Sequence, residues 1–530
     1  MHVALRIDDT LRRAVLLYPN AEAVVEGERR WTYREFQQEV HQLARAIQRL
    51  GVEKGDRVAV LSPNTAAMLQ LFYACFQIGA VVVPLNTRLL PHDYQYIVDH
   101  AEAKLFFVDE ELIPLVEPIV NHLRSVTHRV CMGIGGQHAG QEGWNCYAAL
   151  LAQESSEPCV VDIEETDLAT ILYTSGTTGK PKGVMHSHRT LYFNMQNTMF
   201  HLHASDQDVL LHTLPMFHVN GWGTPFSFTA VGAKHVMLRK IDPPLIHALI
   251  QKEGITVACM APTVLNMLIN EPRFQSEKLE GPMRVVIAGS APPTAFVRTV
   301  EQQLGWEFIQ VYGMTECAPL ITVSPIKHHL RDEEEETRFR RKAKAGIPML
   351  NVEIRVVDDE DQDVPQDGQS IGEVIARGNM VMVGYWKQPE ATAAAIVDGW
   401  YRTGDMATID AEGYIDIVDR KKDIIISGGE NISSIEVEGL LYEHPAILEA
   451  AVVSVPHEKW GEVPFAIIVP RPGMTVDEEE LHRFCRERMA AFKCPKGFQI
   501  VDELPKTASG KIRKVELRKP FWEEKGRMVN

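Results

Sequence analysis

The sequence predicts an α/β protein. Two stacked α/β halves and a small β-barrel-like subdomain form a large N-terminal domain, and a small α+β domain follows at the C-terminus. Three observations predict it. Apolar runs of strand length alternate with amphipathic segments of helical spacing through residues 33–287. The segment 352–417 changes to short strands separated by Asp/Gly turns. The net charge of −17 lies entirely before Arg420, because acidic and basic residues balance from there onward. A chain of 530 residues exceeds one ordinary core. The boundary is placed at Asp419/Arg420, giving domains 1–419 and 420–530.

Taken in order, residues 33–50 have the spacing of a polar helix. A buried strand at 58–62, a helix at 66–79 and strands at 81–83 and 104–108 follow. Apolar residues at 168–172 and 184–185 flank a hydroxyl-rich loop. The alternation resumes with strands at 234–238, 256–260 and 285–287 and helices at 245–252 and 263–270. The acidic run beginning at Asp332 places Glu334/Arg338 and Glu336/Arg340 at i, i+4, the pattern of a solvated helix. Short strands at 354–357, 373–376 and 414–417 suggest the barrel-like unit. Beyond the boundary come a helix at 435–442, a strand at 465–469 and a helix at 481–489.

Composition excludes several classes. The longest apolar stretches, such as 78–85, are far too short to span a bilayer, and residues 1–6 have no secretory pattern, so no membrane insertion is expected. Eight scattered cysteines show neither a zinc spacing nor a paired motif. Together with a C-terminal tripeptide that is not a peroxisomal signal, they point to the cytoplasm. A net-acidic chain has no general attraction for nucleic acid, so any polyanion must be held by local basic residues.

The strongest local signal is the run 173–184, which contains Thr174, Ser175, Gly176, Thr177, Thr178, Gly179, Lys180 and Lys182. Hydroxyls, glycines and two lysines in so short a span allow a tight bend that offers N–H groups to an anion and neutralises it. Gly176 and Gly179 enclose only two residues and Pro181 follows Lys180, so the common P-loop pattern does not fit. A hairpin over a nucleotide phosphate does.

This run closely resembles the phosphate-binding signature of the adenylate-forming superfamily, which includes acyl-CoA synthetases, peptide-synthetase adenylation domains and firefly luciferase. Further stretches match in the superfamily's order: 215–222, 288–292, 310–316, 401–405, 419–431 and 505–511. The resemblance spans essentially the whole chain and is nearest to the fatty-acid–CoA ligases and related acyl-activating enzymes. It implies activation of a carboxylic acid by Mg-ATP to an acyl-adenylate, then transfer of the acyl group to CoA. A medium- to long-chain fatty acid is the expected substrate. Short-chain, methylthio and aryl acids remain open, as do a luciferase-type oxygenase and a non-catalytic nucleotide-binding regulator.

The resemblance also implies roles for particular residues. Glu316 would hold Mg2+ and Thr315 would donate to the α-phosphate, with Lys511 bridging the carboxylate and that phosphate. Gly289, Ser290, Ala291, Gln310, Tyr312 and Gly313 would line the adenine, Asp405 the ribose, and Arg420 the ribose or phosphates. His218 would lie near the acyl carboxylate and Trp222 would gate the acyl tunnel, beside Gly289, Gly313 and Met314. The uncharged run 223–230 suggests an apolar tail site. Gly428 and Gly429 would admit the pantetheine arm, with Arg88 and Lys496 as weaker candidates for the CoA phosphates. Lys422 would be the pivot about which a mobile C-terminal domain turns. Partners are then small molecules (the acid, ATP and CoA), with a homodimer left open.

Overall fold

The structure is a computed structural model that describes residues 3–133, 143–174, 180–276, 279, 281–289, 292, 294–421, 423–428, 430–506 and 512–522. Helix Ala66–Ile78 is apolar nearly all round, and such a helix must be covered on every side. It starts where the Thr65 hydroxyl accepts the Met68 N–H, and every residue from Met68 to Ile78 is buried. A sheet lies on each side of it. One sheet has eight strands, with Leu168–Thr174, Val81–Leu85, Arg57–Leu61, Ala103–Asp109 and His128–Met132 parallel through its middle. The other has nine, with Lys234–Met237, Val209–His212, Val257–Met260, Arg284–Ile287 and Glu307–Gly313 parallel.

A single buried cluster joins Val58, Val82 and Leu105 of the first sheet and Val24 and Met237 of the second through Phe36, Leu69 and Phe72 of the intervening helices. The outer faces are covered as well. Leu61, Val83 and Phe106 pack on Tyr94 and Ile97, while Leu211, Ala258 and Val285 pack on Ile246 and Leu265. Side chains alternate between faces along a strand, so covering both faces produces the continuous apolar runs seen in the sequence. The expected stacked halves are present.

Two expectations need correction. The segment 352–420 is an open five-stranded sheet rather than a barrel-like unit. Its long strand Trp400–Ile409 pairs with Gly372–Gly378 along one edge. On the other edge it pairs first with Ile396–Val397 and then with Ile415–Arg420, so the sheet forks instead of closing. Second, helix Glu335–Ala343 exists but is not a freely solvated face. Phe339 is buried, Glu336 pairs with Arg298 at 2.5 Å, and Arg341 pairs with Glu333 at 2.7 Å. The charges fasten the helix to its neighbours because burying Phe339 brings them within reach.

From Ile425 onward a hairpin of Ile447–His457 and Gly461–Pro470 is flanked by helices Ser434–Tyr442, Glu478–Arg486 and Lys514–Trp522. The two clusters that hold this part together contain only residues 425–521. Among the described residues, no helix is long and apolar enough to cross a membrane.

Candidate active site

Strands Leu168–Thr174 and Lys182–Ser187 pair antiparallel with Thr174 opposite Lys182, so the hydroxyl-rich run closes a hairpin. Ser175, Gly176, Thr177, Thr178 and Gly179 lie outside the described residues, as do Ser290, Ala291, Lys422, Gly429 and Lys511. The two lysines of the hairpin are placed. The Lys180 ammonium is 5.3 Å from the centre of the Tyr96 ring and that of Lys182 is 4.9 Å from the Tyr385 ring.

Tyr385 is the residue that sequence reasoning missed. Its strand, Gly384–Tyr385, adds to the edge of the hairpin opposite Val184 and Met185. From there the Tyr385 hydroxyl donates to Glu316 Oε1 at 3.0 Å. One side chain therefore contacts both the phosphate-loop lysine and the carboxylate expected to meet the metal. Burial, reinforced by Glu316, raises the Tyr385 pKa, so the group remains a donor. No local pattern signals this, since the partners are about 70 and 200 residues away. Tyr385→Phe should lower kcat/KM for ATP by about 10–100-fold, the scale of one hydrogen bond to a charged group (~1.5–3 kcal/mol). Steady-state kinetics at saturating acid check it, and a change below twofold would show that Glu316 does not depend on Tyr385.

Thr315 and Glu316 occupy the short turn Thr315–Cys317 that follows strand Glu307–Gly313. His186 Nε2–H donates to the Thr315 carbonyl at 2.8 Å, and the Met382 N–H donates to the Glu316 carbonyl at 2.8 Å. Burial pushes His186 down to about 4, so the ring stays neutral and acts as a fixed strut. Gly313 is required by close approach: a Cβ there would lie 1.8 Å from the Pro319 carbonyl oxygen.

At the end of the same strand the Tyr312 hydroxyl donates to Asp405 Oδ2 at 2.7 Å, and Arg420 Nε meets Asp405 Oδ1 at 2.7 Å. Asp405 is held from below by the Thr403 hydroxyl, which accepts its N–H at 3.0 Å. Asp405 raises the pKa of Arg420, while burial followed by Asp405 raises that of Tyr312, so carboxylate, guanidinium and phenol form one polar unit. Gln310 is buried on the same strand, with its Oε1 lacking a partner among the described residues. Gly289 follows strand Arg284–Ile287 with φ 103°.

On the acid side, the Asn64 amide donates to the His212 and Leu214 carbonyls at 2.7 and 2.9 Å and accepts the Met216 N–H at 2.8 Å, which anchors the approach to half-buried His218. The chain then makes a left-handed turn. Val219, Asn220 and Trp222 hold φ 44°, 44° and 58°, a conformation that costs bulky residues about 1–3 kcal/mol each. Trp222 is buried and shares a cluster with Ala288, Tyr312 and Met314. Beside the turn the Asn194 amide donates to the Trp222 carbonyl at 3.5 Å. Asn194 Oδ1, Thr198 Oγ1 and both amide atoms of Asn197 and Asn220 are buried without a partner among the described residues.

Two candidates for the CoA side are otherwise engaged. Gly428, at φ 62°, lies against the Trp460 ring and donates its N–H to the Trp460 carbonyl at 2.8 Å. Lys496 donates to the Ala491 carbonyl at 3.1 Å. No group of three metal-ligating side chains occurs among the described residues. A lone carboxylate such as Glu316 suits a hard cation that brings phosphate oxygens and waters as its other ligands.

A two-halved α/β domain, a phosphate hairpin and an adjoining Asp–Tyr–Arg unit define the adenylate-forming class of enzyme. The chain belongs to the AMP-binding enzyme family, whose profile matches residues 11–386, with the AMP-binding enzyme C-terminal domain matching residues 436–511. It is 38% identical to a long-chain-fatty-acid–CoA ligase of Thermus thermophilus, over 98% of this chain and 96% of that one. It is also 38% identical to 4-hydroxybutyrate–CoA ligase 2 of Metallosphaera sedula, over 96% and 93% of the two chains. Among solved structures it resembles the anthranilate–CoA ligase AuaEII in complex with anthranoyl-AMP, with a TM-score of 0.90, 27% identity and 98% of each chain covered. ATP-bound MatB from Rhodopseudomonas palustris gives a TM-score of 0.87 at 28% identity, covering 98% of this chain and 100% of that one. The protein is an AMP-forming acid–CoA ligase.

Proposed function

We propose that the acid is a medium- to long-chain fatty acid, activated in a site built on strand Glu307–Gly313. The observation that supports this reading is that buried Trp222 and partly buried Met314 share an apolar cluster with Tyr312. Lys180 and Lys182 counter the phosphate charge, Asp405 accepts the ribose hydroxyls and Tyr312 lies along the adenine. Glu316 would hold the Mg2+ that arrives with ATP, and the ion would supply charge neutralisation on the phosphate oxygens. Thr315 and Lys511 hold the α-phosphate while a carboxylate oxygen attacks phosphorus and the bond to pyrophosphate breaks. In the second step the CoA thiolate attacks the acyl carbon and the bond to AMP breaks. Lys511 reaches the site from a C-terminal domain that begins after Asp419 and pivots at Lys422. Eight free cysteines support a reducing compartment such as the cytoplasm.

The buried polar atoms of Asn194, Asn197, Thr198 and Asn220 favour a second reading, an acid bearing a hydrogen-bonding group on its tail. AMP release measured with and without CoA, over acids of graded length and their hydroxylated counterparts, separates the two. If Trp222 closes the acyl tunnel, Trp222→Ala should redistribute kcat/KM along that series by about 1–3 kcal/mol. An equal loss for every acid would sink the gate.

A further inference from the structure

A buried polar network joins the strand that carries Arg420 to the base of the lysine loop. Asp419 Oδ2 accepts both the N–H and the hydroxyl of Ser434, at 2.7 and 2.6 Å, and Asp419 Oδ1 accepts the Arg420 N–H at 2.8 Å. The Lys514 ammonium donates to the Ser434 hydroxyl at 2.6 Å and pairs with Glu438 at 2.7 Å. Glu438 in turn accepts the Val452 N–H at 2.7 Å. Asp419 and Ser434 are 2% and 1% exposed, so solvent does not weaken these bonds. Burial alone would push Lys514 toward neutrality, but Glu438 and Asp419 outweigh it and raise its pKa, so it is held as a cation.

The placement of this network matters more than its strength. Asp419 belongs to strand Ile415–Arg420, which pairs with the strand carrying Asp405. Ser434 and Glu438 lie on helix Ser434–Tyr442, which packs in the C-terminal cluster. The Asp419–Ser434 bonds therefore cross the segment 420–433. Lys514 stands three residues beyond Lys511. On either side of residues 507–511, Lys506 pairs with Ile512 and the Arg513 N–H donates to the Pro505 carbonyl at 2.8 Å. On the N-terminal flank Lys506 pairs with Glu449 at 2.5 Å, and on the C-terminal flank Lys514 holds Ser434 and Glu438.

We propose that Lys514 is a positioning residue for adenylate formation: held by Ser434 and Glu438, and through the Ser434 hydroxyl linked to Asp419, it sets the segment that carries Lys511 relative to the Asp405–Arg420 unit. The proposal rests on the two-step ligase reading and adds a residue that acts through Lys511. Simple stabilisation of the C-terminal domain would affect both half-reactions alike, whereas a clasp of the lysine loop acts on the first.

The test measures acid-dependent pyrophosphate–ATP exchange, conversion of supplied acyl-adenylate and CoA to thioester, and melting temperature, in Lys514→Met, Lys514→Arg, Asp419→Asn and the Asp419→Asn/Lys514→Met double variant. Lys514→Met should lower exchange by about 100-fold, the scale of a ~1 Å misplacement of a catalytic group, while thioester formation stays within about threefold. Lys514→Arg should recover most of the exchange. The double variant should be no worse than Lys514→Met, because the two residues act as a unit. Should Lys514→Met fail to fold, Asp419→Asn, which keeps the size and one acceptor, must still lower exchange selectively. Parallel loss of both half-reactions, unchanged exchange, absence of arginine rescue or simple additivity would each overturn the proposal. A parent enzyme that shows no exchange with any acid would instead overturn the ligase reading itself.

Discussion

Lys511→Ala should reduce acid-dependent pyrophosphate exchange by about 10²–10³-fold or more while leaving the conversion of supplied acyl-adenylate and CoA near the parental rate. As the carboxylate attacks phosphorus, negative charge gathers between two anions, and an ammonium placed there stabilises the transition state more than the separated reactants. Loss of one such preorganised group costs about 2.7–4 kcal/mol. The second step develops its charge on the acyl carbonyl and the departing AMP, where the same lysine has no assigned part. The readout is the ratio of the two half-reactions in one preparation. Equal loss of both would end the division of labour assigned to Lys511.

Gly313→Ala should impair the fold and the first half-reaction together. Its added methyl would meet the Pro319 carbonyl oxygen at 1.8 Å, the Pro319 carbonyl carbon at 2.7 Å and Leu320 Cα at 3.1 Å, all of them backbone. A flexible side chain could swing aside, but here a strand has to move, and overpacking of this kind costs about 1–3 kcal/mol. Gly313 itself lies between Tyr312 and the Thr315–Glu316 turn, so any shift of its backbone moves both the Asp405 contact and the Tyr385 contact. A shift of ~1 Å is enough to reduce turnover about 10²-fold. Thermal melting and pyrophosphate exchange measure the two effects. A variant with parental melting temperature and parental exchange would show that the turn absorbs the methyl elsewhere.

Much of this protein was legible in its sequence because the relevant signals are local. A strand buried on both faces has to be a continuous apolar run, and the runs at 58–62, 81–83, 104–108 and 285–287 lie where Arg57–Leu61, Val81–Leu85, Ala103–Asp109 and Arg284–Ile287 are observed. The pairing of Leu168–Thr174 with Lys182–Ser187 could be read because apolar residues flank the hydroxyl-rich run on both sides. The ordered motifs identified the family, which the comparison with known proteins bears out. The barrel-like expectation failed because strand lengths and turns do not say whether a sheet closes or forks. Of the pairs expected at i, i+4, Glu336 meets Arg298 of another element instead of Arg340, which local spacing cannot represent.

By itself the sequence determined the α/β class, many of the strands and helices, the family and its chemistry, because each depends on residue types within a dozen positions of one another. Only the tertiary structure decided that Tyr385 couples Lys182 to Glu316, that His186 braces Thr315, that Tyr312 and Arg420 share Asp405, and that Ser434 links Asp419 to Lys514. In most of these pairs the partners lie far apart along the chain. They meet through sheet register, edge pairing and burial, which are set by the packing of whole layers and leave no periodic trace in the residues that they bring together.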